Sequence, residues 1–253
     1  MSAPERQRTT LVARQFEEQI GFYTSEARSA RDSRIVSYLA EALAADPALR
    51  AGGALRVCEF GGADGILLRS VRERLGAEVE LTNAELVEAY APRQASPSIR
   101  FVRTSLLHPD FADASFDVVV ARHVLHHLIG DTLAATRANQ ARAFAELARV
   151  TRPGGLVLIE EHLNPSDFAC RLFYYASRAA TRLKMRLPWF EVTPYTVVAF
   201  LTPREFQRVA AEGTRGLLQT RAEEFHPAPM PLQWRLTLLR RNSRNLFIAF
   251  RRA

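Results

Sequence analysis

From about residue 55, short apolar runs alternate with segments in which hydrophobic residues follow helical spacing. The apolar runs predict four strands at residues 54–60, 77–86, 99–105 and 115–121, and a fifth within residues 152–162, where it follows a Pro-Gly-Gly turn. The clearest helical patterns lie between them, at residues 66–75 and 136–150, and a short helix limited by Pro92 is predicted after the second strand. Strands that alternate with helices favour right-handed crossovers. The pattern therefore predicts an α/β protein with a doubly wound, mostly parallel sheet.

Both ends of the chain and one internal segment depart from this alternation. Residues 1–50 are predicted to form a helical N-terminal cap, and residues 163–202 form an aromatic, basic insertion after the fifth strand. A helix follows with Thr202 as its N-cap and Glu205 in a capping box. Residues 217–225 and 244–252 are predicted to be two final, antiparallel strands. We therefore interpret residues 1–253 as a single domain with two helical additions.

The composition is that of a globular protein whose 253 residues can form one large core, with 47% hydrophobic residues. No apolar run approaches the roughly 18 residues of a membrane span, so we expect no stable membrane insertion. The first ten residues lack the apolar region of a secretion signal, which favours the cytoplasm. Cys58 and Cys170 form neither a zinc pattern nor a disulfide framework, so no metal is expected.

The net charge of +7 raises the question of nucleic-acid binding. Lys184 is the single lysine, and arginines scattered along the chain supply the remaining positive charge. A coding sequence biased toward arginine explains this pattern without a nucleic-acid partner. We therefore expect no specific binding to nucleic acid.

A glycine-rich turn, VCEFGGADGILL at residues 57–68, follows the first strand and precedes the first helix of the sheet. Gly61 and Gly65 allow the backbone to approach a ligand closely. Glu59 and Asp64 place two carboxylates around the turn, which disfavours a pyrophosphate ligand. The turn is better suited to a ligand with a cationic head, such as an amino group.

A third acidic residue lies at the end of the second strand. Glu85 follows Gly65 by twenty positions, where an acidic side chain can accept hydrogen bonds from both ribose hydroxyls. Asn83 is a second candidate at the same strand end. A nucleoside with a cationic amino-acid arm fits these groups, which points to S-adenosylmethionine.

In four ordered motifs the chain resembles the class I S-adenosylmethionine-dependent methyltransferases, in their small-molecule (type 11) branch. The motifs are EFGGADG, NAEL, SFDVVVARHVLHHL and LARVTRPGGLVLIEE, at residues 59–65, 83–86, 115–128 and 147–161. The resemblance covers roughly residues 55–161. It implies the Rossmann-like methyltransferase fold, with a seven-stranded sheet whose last strand is antiparallel, and a substrate-binding lid at residues 163–202.

Two positions depart from the family pattern, since Ala63 replaces the middle glycine and Ser105 stands where relatives often carry aspartate. The Ser105 hydroxyl and the backbone at Leu106 are predicted to bind the adenine. The resemblance also implies that Tyr23 covers the methionine carboxylate, although a core tyrosine is the favoured alternative. Arg122, at the end of the fourth strand, is also assigned to the cofactor site.

Methyl transfer to a hydroxyl or an acidic carbon often requires proton removal. The candidate bases lie just past the fourth strand and at the end of the fifth: His123, His126, Glu160, Glu161 and His162. His126 and Glu160 are the leading candidates, followed by His123. The histidines are suited to proton removal because a histidine titrates near neutral pH, and Glu160 is favoured by its position at the end of the fifth strand.

Each candidate base has a structural alternative. The histidines can instead bond local backbone, and Glu160 can cap a helix or pair with an arginine. His127 is expected to pack inward.

Aromatic residues and arginines alternate at residues 168–190, which we interpret as an acceptor lid, a membrane contact or plain helix packing. The leading hypothesis for function is O-methylation of an apolar or aromatic small molecule of secondary metabolism. The second hypothesis is a nucleic-acid methyltransferase, but the fourth strand ends in ARH and lacks an N-P-P-[YF] tract. The third is a cofactor-binding protein diverted to cyclisation or to a regulatory subunit. The question of a homodimer stays open.

Overall fold

A computed structural model of the protein joins the predicted strands in one seven-stranded sheet. The structure describes residues 10, 13–14, 16–17, 34–50, 53–185, 195, 197–225 and 244–253. The strands are β1 (Leu55–Phe60), β2 (Val79–Glu85), β3 (Ile99–Arg103), β4 (Phe116–Arg122), β5 (Thr151–Leu163), β6 (Leu217–Phe225) and β7 (Arg244–Arg252). Their order across the sheet is β3-β2-β1-β4-β5-β7-β6.

Strands β1 to β5 run parallel, whereas β7 pairs antiparallel with both β5 and β6. This topology confirms the predicted fold, including the antiparallel last strand. The register places Glu59 opposite Asn83 of β2, and Arg122 opposite Glu160 of β5. Because the strands are parallel, the polar residues at their carboxyl ends meet at one edge of the sheet.

Within residues 34–213, the described α-helices are α1 (Arg34–Ala45), α2 (Ile66–Leu75), α3 (Leu133–Val150), α4 (Asp167–Arg182) and α5 (Pro203–Gly213). Helices α1 and α2 contribute Leu39 and Leu67 to the core on one face. Helices α3 and α5 contribute Phe144 and Phe206 to the core on the other face, where the two rings meet edge to face at 5.6 Å. The strand residues alternate between these two cores, as expected for a sheet covered on both faces.

The capping box predicted at the start of α5 is confirmed. Thr202 Oγ1 accepts a hydrogen bond from the backbone N–H of Glu205, and the Glu205 carboxylate accepts one from the backbone N–H of Thr202. Helix α3 begins at Leu133, before the predicted residue 136, because the Thr132 side chain caps it by accepting from Ala135 N.

Two local predictions differ from the structure. The Pro-Gly-Gly segment at residues 153–155 was expected to precede the fifth strand, but β5 already begins at Thr151. The register against β4 shifts between Phe116 and Val118, and Gly154 adopts a left-handed φ of 74°, so the strand continues past this irregularity. The short helix predicted after the second strand is a 3₁₀ helix, Glu88–Arg93.

The two helical additions are described only in part. Helix α1 belongs to the N-terminal cap, whereas most of the amphipathic stretch at residues 10–23 lies outside the described residues. The insertion contributes α4 and the segment 197–201, and residues 186–194 and 196 are not described. In the described part of the chain, every helix is too short or too polar to cross a membrane.

Candidate functional site

The glycine turn after β1 has the backbone conformation that its glycines predict. Gly61 has a φ of +70° and Gly65 a φ of +75°. A Cβ on Gly61 would lie 2.4 Å from Val124 Cγ2, so the turn packs directly against the segment that follows β4. Ala63, which replaces the middle glycine, also adopts a left-handed φ of 49°, a conformation that costs about 1 kcal/mol for a residue with a Cβ.

Glu85 ends β2, as predicted, and its carboxylate holds the glycine turn. Oε2 accepts a hydrogen bond from the backbone N–H of Ala63 at 3.0 Å. Oε1 accepts from the backbone N–H groups of Leu86 at 2.6 Å and Val87 at 3.0 Å. A carboxylate can accept about four hydrogen bonds, so Oε2 keeps capacity for one hydroxyl donor of a ribose.

Asn83 supports the same turn from β2. Its Nδ2 donates to the Ala63 carbonyl at 2.8 Å and to Gln94 Oε1 at 3.0 Å. Gln94 also donates to the Ala63 carbonyl, at 3.1 Å. The Asn83 amide therefore stabilises the turn rather than reaching toward a ribose. Gln94 has no counterpart in the sequence analysis, because a glutamine in a loop carries no recognisable motif.

Two buried acceptor atoms at this edge, Glu59 Oε2 and Asn83 Oδ1, have no hydrogen-bond partner in the described structure. Each lies 2.7 Å from the position that a Cβ on Gly62 would take. The glycine at this position thus keeps open the space that the two oxygens face. Buried acceptors are normally hydrogen-bonded, so this pair fits a ligand that brings donor hydrogens.

Glu59 is almost completely buried, and burial raises the pKa of its carboxyl to about 7. Arg122 acts against this rise, with its Nε 3.9 Å from Glu59 Oε1, whereas Asp64 and Glu85 add to it. Burial likewise raises the pKa of Asp64. Among the described residues, Arg122 and Arg69 offset the charge of these carboxyls only in part, so the cluster is electrostatically suited to a cationic group. The residues present therefore fit the ammonium of an amino-acid arm.

The remaining residues assigned to the cofactor are placed as follows. Ser105 lies just after β3, and its Oγ accepts a hydrogen bond from Leu107 N at 3.3 Å, while Leu106 is buried. Arg122 is the last residue of β4 and is partly buried. Tyr23 lies outside the described residues.

His123 begins the segment after β4 and adopts a left-handed φ of 55°. Its Nε2 lies 3.3 Å from Glu160 Oε1, and its backbone N–H donates to the Glu160 carbonyl. Its ring stacks on that of His162 at 3.9 Å. Desolvation lowers the pKa of His123 to about 3. The charge of Glu161 acts to raise this pKa, whereas the charge of Arg122 lowers it further. The imidazole is therefore neutral at pH 7.

His126 is buried and held by Glu161. Its Nδ1 lies 2.7 Å from Glu161 Oε1, and the same carboxylate accepts hydrogen bonds from the backbone N–H groups of Leu125 and His162, both at 2.7 Å. Burial raises the pKa of Glu161, while the neighbouring His123 acts against the rise. With all these donors directed at it, Glu161 orients His126 rather than meeting an acceptor itself. His162 Nδ1 is in turn bonded to Asn245.

His127 was predicted to pack inward, and the structure agrees in part. Its Nδ1 is buried, but the residue as a whole is less buried than His126, and its ring meets Phe16 edge to face at 4.8 Å. Desolvation lowers the pKa of His127 well below its usual value. The residues Leu125–His127 form a 3₁₀ turn, whose residue spacing differs from that of an α-helix.

An aromatic wall stands beside His126. The Phe200 ring stacks on His126 at 5.1 Å, and Phe173 of α4 packs edge to face against Phe200 at 5.5 Å. Helix α3 fixes this wall through buried polar groups that the sequence analysis did not identify. Gln140 Nε2 donates to the carbonyls of Leu125 and Ala199, and Arg137 donates to the Phe200 carbonyl.

The structure thus brings two groups of predicted residues together at one sheet edge. The carboxylates Glu59 and Glu85 surround the glycine turn, while His123 and His126 follow β4 and Glu160 lies near the end of β5. Val124, between the two histidines, contacts Gly61 and joins the two groups. Within the described residues, no cluster of histidines, cysteines and carboxylates is arranged to hold a metal ion.

Comparisons with known proteins agree with this geometry. Residues 58–159 match the family model of a methyltransferase domain. Among solved structures, the [4+2]-cyclase SpnF is 13% identical with a TM-score of 0.58, covering 87% of this chain and 80% of its own. The geranyl diphosphate C-methyltransferase of Streptomyces coelicolor A3(2) is 14% identical with a TM-score of 0.53, covering 86% and 79%. An S-adenosylmethionine-dependent methyltransferase of Mesorhizobium loti is 19% identical with a TM-score of 0.53, covering 81% and 96%. No curated protein matches the sequence.

Proposed function

We propose that the chain is a class I S-adenosylmethionine-dependent methyltransferase, and that its acceptor is a small apolar or aromatic metabolite that is methylated on oxygen. The observation that carries this proposal is the buried His126–Glu161 pair beside the aromatic wall of Phe200 and Phe173. A base next to an apolar, aromatic surface suits an acceptor that combines a ring or hydrocarbon with a weakly acidic hydroxyl.

The residues around the glycine turn are those that would hold the cofactor. Glu59 faces the cationic amino-acid arm, Gly61 and Gly65 allow close approach of the backbone, and Glu85 keeps an acceptor position for the ribose. Arg122 balances the negative charge near Glu59. When bound, S-adenosylmethionine supplies an electrophilic methyl group on a sulfonium.

His126 is proposed as the base that takes the acceptor's proton. Because Nδ1 is directed at the Glu161 carboxylate, the ring is held in the tautomer that carries its proton on Nδ1, and in this tautomer Nε2 is the nitrogen that can accept a proton. The three hydrogen bonds to Glu161 keep this carboxylate in place. Glu161 is thus a positioning residue.

Glu160 is the second candidate base. Burial raises the pKa of its carboxyl, which makes the carboxylate a stronger proton acceptor than an exposed one. His123, at 3.3 Å, is a poor base because its own pKa is about 3. We therefore assign His123 to orienting Glu160.

The test compares His126→Ala with His127→Ala, a neighbouring histidine that serves as the matched control. The readout is the rate at which label from trideuteromethyl S-adenosylmethionine enters small molecules of a cell extract. His126→Ala should lower this rate by about 10²–10⁴-fold and leave S-adenosylhomocysteine affinity unchanged. The His127→Ala rate should stay near that of the wild type. Near-wild-type rates in both His126→Ala and Glu160→Ala would refute base catalysis at this site.

A second candidate function is cyclisation without methyl transfer. The position of Ser105 in place of the usual aspartate supports it, as does the similarity in fold to a [4+2]-cyclase. In that case the protein would bind S-adenosylhomocysteine, but no label would leave the cofactor. An extract compound would then be consumed and replaced by an isomer of the same mass.

A further inference from the structure

Helix α4 presents two different faces. The inner face is buried and carries mostly small residues together with Tyr174. The outer face carries Phe168, Leu172 and Tyr175, whose exposed fractions are 74%, 41% and 59%. These residues are separated by four and three positions, so they form one stripe along the helix. Leu183, 69% exposed, extends the stripe just past the helix end.

This stripe is a concentrated apolar surface and not part of a scattered background. Six large hydrophobic side chains are exposed in the described part of the chain, and five of them lie between residues 168 and 185. The sixth, Leu218, lies on β6. Isolated exposed hydrophobic residues need no explanation, but a contiguous group indicates an interaction site.

The charges beside the stripe are almost all positive. Four cations, Arg171, Arg178, Arg182 and Lys184, accompany one carboxylate, Asp167. Asp167 is paired with Arg171 at 2.7 Å, and Arg178 is held by the Gly130 carbonyl. Arg182 and Lys184 are exposed at the end where Leu183 also projects.

We infer that this surface, hereafter the α4 surface, docks on an anionic lipid bilayer. A helix with an exposed apolar stripe and flanking cations matches the chemistry of such a surface, where rings enter the headgroup region and cations meet lipid phosphates. A second copy of the chain fits less well, because each copy would bring four cations and one carboxylate to the contact, so that like charges would meet. The helix lies on the bilayer and does not cross it.

Docking in this way also places the candidate site near the lipid. Phe173, on the same helix, packs against Phe200 beside His126. The proposal does not depend on the identity of the acceptor, and its test requires no enzymatic turnover.

The apolar contribution is tested by flotation of the full chain with two kinds of vesicle, phosphatidylcholine alone and phosphatidylcholine with phosphatidylglycerol. The wild type should bind the anionic vesicles. The double variant Phe168→Ser, Tyr175→Ser should bind them at least about tenfold more weakly. Leu218→Ser is the matched control and should bind like the wild type. Thermal unfolding followed by circular dichroism checks that each variant is folded.

The charge contribution is tested by Arg182→Gln and Lys184→Gln, each of which should weaken binding to the anionic vesicles by about fivefold. Arg208→Gln, on the exposed side of α5, is the control and should have little effect. The proposal is overturned if the wild type does not bind the anionic vesicles, or if the double variant Phe168→Ser, Tyr175→Ser binds them as well as Leu218→Ser does. It is equally overturned if sedimentation without vesicles shows that the wild type is a dimer and that the double variant Phe168→Ser, Tyr175→Ser is a monomer.

Discussion

The pKa of Glu59 leads to a prediction about stability that can be worked through from the structure. Burial raises this pKa from 4.5 to about 7, so the folded protein binds a proton here more tightly than the unfolded chain does. The stability from this group is complete below pH 4.5 and is lost as the pH rises to about 7. Across this pH range the free energy of unfolding falls by about 3 kcal/mol.

Glu59→Gln replaces the ionisable group by a neutral one of the same shape. Above about pH 7 the free variant should therefore be more stable than the free wild type, by up to about 3 kcal/mol. Near pH 5 the gain should be small, because the wild-type carboxyl is then mostly protonated in the folded state. The same substitution should weaken S-adenosylhomocysteine binding, since the ligand's ammonium loses its carboxylate partner.

Urea unfolding of both proteins at about pH 5 and about pH 8 measures the two differences in free energy of unfolding. Glu73→Gln, at an exposed position of α2, controls for the general effect of removing one negative charge. The reasoning is refuted if Glu59→Gln gains no more stability at the higher pH than at the lower one. It is also refuted if Glu73→Gln shows the same pH-dependent gain.

Three further predictions concern the binding of the cofactor product and of RNA. Gly61→Val should abolish detectable S-adenosylhomocysteine binding in calorimetry, because its Cβ would lie 2.4 Å from Val124 Cγ2; normal binding would show that the close approach is wrong. Glu85→Ala should lose about 1–3 kcal/mol of binding free energy, measured in the same way, and an unchanged affinity would remove Glu85 from the ribose site. Association with RNA, followed by fluorescence anisotropy, should be weak and largely gone at moderate salt, whereas tight binding that survives salt would favour a nucleic-acid substrate.

The sequence was sufficient for the features that depend on local pattern. Alternating apolar runs predicted all seven strands, and the two last ones paired antiparallel as expected. Gly61, Gly65 and Glu85 were recognisable because a turn with positive φ and an acid at a strand end leave a signature at fixed spacing.

The sequence was not sufficient where a role depends on contacts between distant residues. Glu160 and Glu161 are neighbours with the same charge, but the alternation of β5 sends Glu161 to His126 and Glu160 to His123. His126 is more deeply buried than His127 because both belong to a 3₁₀ turn, and the sequence pattern does not predict this turn. Gln94 and Gln140 act through backbone carbonyls, and such contacts have no sequence motif.

The central claim is that the chain transfers a methyl group from S-adenosylmethionine to a small molecule. Mass spectrometry of a cell extract incubated with the protein and trideuteromethyl S-adenosylmethionine tests it most directly. The account predicts that a low-mass apolar or aromatic compound gains the labelled methyl group with the wild-type protein and not with Gly61→Val. If no small molecule is labelled, or if the label enters RNA instead, the account is contradicted.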